Sequence, residues 1–310
     1  MASATLIPAK ATFYKPELDS LRFFAFLGVF LFHPLSRTQE FYSAYSIPAG
    51  VISAISGALA AGACGVDLFF ALSAYLITSL LMRERETAGK LNVRNFYIRR
   101  ILRIWPLYFA FILLAFVLGL VVKSQSSFRW EYVAGFALLS GNWVFVLHGL
   151  PLRSIALPLW SVSIEEQFYL AWPLIVRKAS LKVMVSISIL LLLAANLTRI
   201  VLASGGFSQA SLEYNTLTRL DPIAMGILLA LGEHGGYNLA RRTTLQRLAL
   251  LFASVGMALA VGIYCGLYPL DGVTVNRCGT IIGRPVMAFA SVSMLSAVLG
   301  LGRPGLPALL

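Results

Sequence analysis

The chain is built from repeated apolar runs of about twenty residues, and no other feature restricts its fold as strongly. Coiled as helices at ~1.5 Å per residue, such runs match the ~30 Å hydrocarbon core of a bilayer. They fall at 18–36, 62–82, 104–122, 159–176, 183–203, 217–233, 248–268 and 280–301. Backbone polar groups in lipid have no water to bond with, so a span must be a helix or belong to a closed barrel, and these runs are too long for barrel strands. The expected fold is all-α: a polytopic transmembrane helix bundle of about eight to nine spans, forming a single domain over residues 1–310. Composition agrees, with 58% hydrophobic and 12% charged residues. A soluble domain, with ~25% charge, has no interior large enough for so many apolar side chains. The first run has no small-residue cleavage site after it and reads as a retained span rather than a signal peptide.

Net charge is +12, and the basic residues are grouped. Residues 83–103 hold Arg83, Arg85, Lys90, Arg94, Arg99, Arg100 and Arg103; Arg177, Lys178 and Lys182 form a second group, and Arg241, Arg242 and Arg247 a third. The positive-inside rule puts all three on the cytoplasmic face. An even number of crossings must then separate the first two groups, and 104–122 with 159–176 already supply two. The apolar stretch 130–148, with its Gly141-Asn142-Trp143, is therefore expected to be re-entrant or interfacial. The N-terminus falls inside, with 17 basic residues on that face and eight on the other. Basic residues gathered at span ends, with no exposed domain to carry them, do not make a nucleic-acid surface. Cys64, Cys265 and Cys278 are odd in number and have no CxxC or Cys/His spacing, so neither a disulfide framework nor a metal site is expected.

Ionisable residues inside spans are costly, at ~3 kcal/mol each, and are candidates for function. Arg22 and His33 are 11 positions apart, which at about 100° per residue puts both on one helix face, ~16 Å apart along the axis. Arg100 and Arg103 are neighbours at i and i+3 where a helix enters the membrane. Guanidinium forks there suit the phosphates of a cofactor or lipid headgroup, although a stop-transfer charge run has the same pattern. Glu165 and Glu166 sit inside the run Leu159–Tyr169 with no basic partner nearby in sequence. Adjacent helical residues diverge by about 100°, so one carboxylate can serve a site while the other pairs elsewhere. Asp67 opens the second span, and Arg219 and Asp221 open another; both patterns are also common as structural bridges.

Five ordered segments carry a resemblance: LDSLR leading to Phe32-His33, GVDLFFALSAYLI at 65–77, FYIRRILRIWPLY at 96–108, LWSVSIEEQFYLAWPL at 159–174 and RLDPIAMGILLA at 219–230. Together they resemble the bacterial acyltransferase 3 family of integral membrane acyltransferases. The resemblance implies transfer of an acyl group, commonly acetyl from acetyl-CoA, to a hydroxyl of an envelope polysaccharide or glycolipid, at the bacterial inner membrane. Acyl-CoA would be a co-substrate, and no bound metal or permanent cofactor is implied. The family's arginine–histidine motif falls on Arg22 and His33, its basic pair on Arg100 and Arg103, its Ser/Glu segment on Ser161, Ser163, Glu165 and Glu166, and its later motif on Arg219 and Asp221.

On this reading Arg22, Arg100 and Arg103 bind the donor, and His33, Glu165 and Glu166 are catalytic. Ser161, Ser163, Asp67, Arg219 and Asp221 are structural or line the substrate. Family members carry a further span after a Leu-Gly-Arg; here Leu301-Gly302-Arg303 is followed by only seven residues, so the last span is expected to be missing. Two rival readings remain open: a carrier or flippase for an acylated sugar or lipid, and a truncated inactive homologue.

Overall fold

The computed structural model describes residues 15–35, 47–122, 129–151, 154–265 and 276–301. Among these every regular element is helical. In chain order they are α1 (Glu17–Leu35), α2 (Ala49–Gly62), α3 (Gly65–Ala88), α4 (Val93–Val121), α5 (Trp130–Ala137), α6 (Gly141–His148), α7 (Leu159–Lys178), α8 (Leu181–Ser204), α9 (Gln209–Glu213), α10 (Leu220–His234), α11 (Thr244–Tyr264) and α12 (Arg284–Val298). A 3-10 turn, Thr216–Arg219, leads into α10, and a π turn, Gly279–Gly283, leads into α12.

Each expected span is helical, with shifted ends. Among the described residues five helices are long and apolar enough to cross a bilayer: Gly50–Ala88 (α2 running into α3), Val93–Val121, Leu181–Ser204, Thr244–Tyr264 and Gly279–Val298. The other three expected spans are α1, α7 and α10. Charged residues interrupt α1 (Glu17, Asp19, Arg22) and α7 (Glu165, Glu166, Arg177, Lys178), and the 15 residues of α10 reach only ~22 Å. The helix α2 was not foreseen in the sequence. It is 14 small and apolar residues, and only Ala63 and Cys64, both in right-handed helical backbone, divide it from α3. The span expected at 104–122 begins at Val93, where Asn92 caps the helix by accepting from the Asn95 N–H at 3.1 Å, so Arg94 to Arg103 ride on α4 itself. The stretch 130–148 is two eight-residue helices broken at Leu139, whose φ is +57°. At ~12 Å each, neither crosses a bilayer.

The central helix is α3, which packs against α1, α7, α10 and α12. Lipid supplies no hydrophobic drive between helices, so close packing of small residues has to hold such a bundle together. A Cβ on Gly226 of α10 would stand 2.3 Å from the Ala71 carbonyl oxygen of α3, and one on Gly262 of α11 would stand 2.2 Å from that of Gly57 in α2. At the periphery, α4 and α8 are each only 17% buried over their apolar windows and present leucines such as Leu107, Leu113, Leu190 and Leu197 outward.

The basic groups meet at one end of the bundle, as their sequence distribution predicts. Arg85 at the end of α3 donates to the Val176 and Ala179 carbonyls at the end of α7, at 2.7 and 2.8 Å. Glu86 faces His234 at the end of α10. Arg242 donates to the Ser296 carbonyl at 2.9 Å, and Arg247 to those of Ala297 and Leu299, each at 2.7 Å, which satisfies carbonyls left open at the end of α12. At the start of α1, Glu17 accepts from the Gly300 N–H. Arg303 and the expected missing span lie outside the described residues.

The contact at Gly226 gives a prediction with an internal control. Gly226→Ala should cost about 1–3 kcal/mol, because one methyl must force α3 and α10 apart. Gly232→Ala, where a Cβ meets nothing within 4 Å, should be neutral or slightly stabilising. Thermal unfolding of the two variants in detergent checks the difference.

Candidate active site

The two adjacent carboxylates of α7 diverge as helical geometry requires. Glu165 turns to α3, where it accepts from Ser73 Oγ at 3.1 Å, and it also accepts from Tyr169 OH, one turn on in α7, at 3.0 Å. Glu166 turns to α4 and accepts from Trp105 Nε1 at 3.0 Å through Oε2. It is only 4% exposed, and its Oε1 has no hydrogen-bond partner among the described residues. Arg100 of α4 lies over the Tyr169 ring at 5.1 Å and the Phe96 ring at 5.7 Å, and its charge acts on both carboxylates. An arginine, two carboxylates, an indole N–H, a phenol and a serine thus converge where α3, α4 and α7 meet. Such a group can hold an anion at the arginine and accept a proton or a hydrogen bond at Glu166.

Beside it, a closed polar network fixes the broken helix pair against α7. Gln167 donates to the Leu139 carbonyl and to Asn142 Oδ1, both at 2.9 Å, and accepts from Thr216 Oγ1 at 2.6 Å. Asn142 Nδ2 donates to the Tyr214 carbonyl at 2.9 Å. The Gly-Asn-Trp segment therefore earns its polarity inside the protein.

Other expected site residues lie apart from this group. His33 is exposed near the end of α1, and α1 packs against α2, α3 and α12. Its Nδ1 lies 2.8 Å from the Val29 carbonyl. A carbonyl only accepts, so Nδ1 is the donor, and in the neutral ring the lone pair is on Nε2. Arg22 pairs with Asp19, one turn before it. Arg103 is on the exposed side of α4. Ser161 and Ser163 bond to carbonyls of their own chain, Pro158 at 3.1 Å and Leu159 at 3.4 Å. Among the described residues no three His, Cys, Asp or Glu side chains gather as a metal site would need.

Asp67, Arg219 and Asp221 belong to a second, larger cluster at the end of the bundle opposite the basic groups. Arg219 pairs with Asp67 at 3.2 Å and Glu213 at 3.8 Å. Arg284 pairs with Glu213 and, at 3.7 Å, with Asp67. Arg199 pairs with Asp221 at 2.6 Å and donates to the Thr218 carbonyl. None of the six is more than 5% exposed. Three guanidinium groups and three carboxylates cancel in charge, which is how so many ions are tolerated away from water. The cation of Arg219 also lies over the Trp160 ring at 5.4 Å.

Arg199, Glu213 and Arg284 were missed from the sequence. Arg199 and Arg284 lie within the expected spans 183–203 and 280–301, so the rule that singled out Arg22 would have found them. Glu213 lies between spans and carries no such signal.

Breaking this cluster on one side should be severe. Arg219→Met leaves Asp67 and Glu213 short of a partner and should cost ~3–5 kcal/mol. Adding Asp67→Asn should return part of that loss, so that the double variant is more stable than the sum of the singles predicts. A double-mutant cycle on thermal unfolding in detergent measures it.

Over residues 15–305 the chain matches the family profile described as an acyltransferase domain. It is 31% identical over 232 residues to the peptidoglycan O-acetyltransferase of Listeria monocytogenes, an alignment covering 70% of this chain and 34% of that protein. It is 31% identical over 236 residues to a Bacillus subtilis protein named as a candidate peptidoglycan O-acetyltransferase, covering 70% and 33%. A Staphylococcus aureus protein named as a candidate O-acetyltransferase is 28% identical over 234 residues, covering 70% and 34%. The chain thus spans about a third of the length of these curated relatives. No solved structure matches it. A helical bundle with several membrane-crossing helices and a profile match running from Lys15 to Gly305 make this chain a member of the acyltransferase domain family.

Proposed function

We propose that the protein is a membrane O-acyltransferase that moves an acyl group, acetyl above all, from acyl-CoA to a hydroxyl of an envelope polysaccharide or glycolipid. The observation that carries this reading is the convergence, between membrane helices, of Arg100 over the Tyr169 ring with half-buried Glu165 and buried Glu166, because ionisable groups in such a place are retained at a cost. The relatives named above add the acceptor class: two of them carry peptidoglycan O-acetylation in their names. The protein sits in the inner membrane of a bacterium with its N-terminus in the cytoplasm, so that the basic end of the bundle faces the cytoplasmic pool of acyl-CoA.

Each residue then has a role. Arg100 and Arg103, with Arg22 as a third cation on that side, hold the donor phosphates by charge-assisted hydrogen bonds. Arg100 lies within its carboxylate and aromatic setting, so Arg100→Lys keeps the charge and loses the planar stack. His33 Nε2, with its free lone pair, takes the proton of the acceptor hydroxyl. The resulting oxygen attacks the thioester carbonyl, the C–S bond breaks, and the CoA sulfur leaves with a proton. Glu166 offers Oε1 as an acceptor to the bound substrates, and Glu165 holds the Ser73–Tyr169 side of the site. Asp67, Arg219 and Asp221 support the site as part of the buried ion cluster, while Ser161 and Ser163 line the α7 side.

His33→Ala should lower acyl transfer by about 10²–10⁴-fold, and Glu166→Gln should lower it by a smaller factor at equal protein level. The measurement is release of free CoA thiol by purified protein, with and without a sugar acceptor. Thiol released only when acceptor is present marks an enzyme, whereas a carrier of acylated sugar releases none. Full activity in His33→Ala would overturn its role as base.

A further inference from the structure

Two cysteines that are 13 positions apart in sequence meet where the end of α11 faces the start of the π turn before α12. Cys265 caps the end of α11, and Cys278 stands just before the π turn that opens α12. Their sulfurs are 3.6 Å apart, so a bond of ~2.05 Å needs the two to close by only about 1.5 Å. The flanking backbone is held in place by one side chain. Asn276 Nδ2 donates to the Cys265 carbonyl at 2.6 Å, and Asn276 Oδ1 accepts from the Gly279 N–H at 2.9 Å. Cys278 is exposed, while Cys265 is half-buried against the apolar cluster of Ala258, Val261 and Met287. Cys64, the third cysteine, packs on that same cluster.

The pair lies at the end of the bundle opposite the basic groups, since α11 starts beside Arg242 and α12 ends at the carbonyls that Arg242 and Arg247 bind. We propose that Cys265 and Cys278 form an intramolecular disulfide on the outer face of the membrane, made by exchange with an oxidising protein disulfide of that compartment. The placement outside rests on the orientation given under Proposed function, because disulfides persist where the compartment is oxidising. The exposed Cys278 thiolate attacks one sulfur of the donor disulfide, forming a mixed disulfide and releasing the donor's other sulfur as a thiolate. Cys265, as thiolate, then attacks Sγ of Cys278, and the donor leaves as a dithiol. The two protons lost by the cysteine thiols end on the donor dithiol, the two cysteines are oxidised by two electrons, and the donor is reduced by the same two. The bond ties α11 to the start of α12, where Arg284 enters the buried ion cluster.

The test is differential alkylation of the full chain in cells. Free thiols are trapped with N-ethylmaleimide in acid-quenched cells, disulfides are then reduced, and the released thiols take a heavier maleimide before peptide mass spectrometry. Orientation is read separately, in a chain with Cys64, Cys265 and Cys278 all changed to Ser and Lys178→Cys added at the basic end, probed with a membrane-impermeant maleimide on intact cells. The expected result is the heavy label on Cys265 and Cys278, the light label on Cys64, and no labelling of the Lys178→Cys chain. Cys278→Ser should move Cys265 to the light label. Light label on both Cys265 and Cys278 with the Lys178→Cys chain shielded overturns the disulfide and leaves the orientation standing. A heavy-labelled Cys64 linked to Cys265 overturns the pairing. Labelling of the Lys178→Cys chain overturns the orientation, and the proposed oxidation falls with it.

Discussion

Three arginines and three carboxylates cancelling one another inside an apolar bundle are the condition on which the rest of the fold depends. Asp67 comes from α3, Arg199 from α8, Glu213 from α9, Arg219 from the 3-10 turn, Asp221 from α10 and Arg284 from α12. No element supplies both members of a pair, so each ion is neutralised only when its neighbours are in place. A misplaced helix would strand a charge away from water, which makes the cluster a check on assembly as well as a bond. The Gly226–Ala71 contact holds α3 against α10 at the distance this pairing needs.

The two ends of the bundle use arginine in different ways. At the basic end, Arg85, Arg242 and Arg247 donate to the last carbonyls of α7 and α12, so residues of the grouped positive charge also close helices. At the other end, Arg199, Arg219 and Arg284 are matched by carboxylates and contribute no net field. Between the ends, the candidate site at Arg100, Glu165 and Glu166 is walled by α3, α4 and α7.

Much of this was legible beforehand because lipid imposes a one-dimensional rule. Span length follows from bilayer thickness, and polar residues within spans stand out from their surroundings. That rule located α7 and its two carboxylates, and the evenness of crossings between basic groups led to a re-entrant or interfacial reading of 130–148, where the structure has two eight-residue helices. It overlooked α2, whose small residues form a helix too short to register as a span, and it placed the start of the third span eleven residues late because Arg94 to Arg103 break the hydropathy although the helix runs through them.

From the sequence alone came the helical class, the places of the spans, the grouping of positive charge and the identity of the ions inside, because each depends on local composition measured against a medium of fixed thickness. Partnership was decided only by the tertiary structure. Glu165 meets Ser73, Glu166 meets Trp105, Arg219 bridges Asp67 and Glu213, and Cys278 meets Cys265. None of these follows from spacing along the chain, because which faces meet depends on how the helices rotate and cross. That geometry is set by the close approach of small residues such as Gly226 and Ala71, which hydropathy does not weigh.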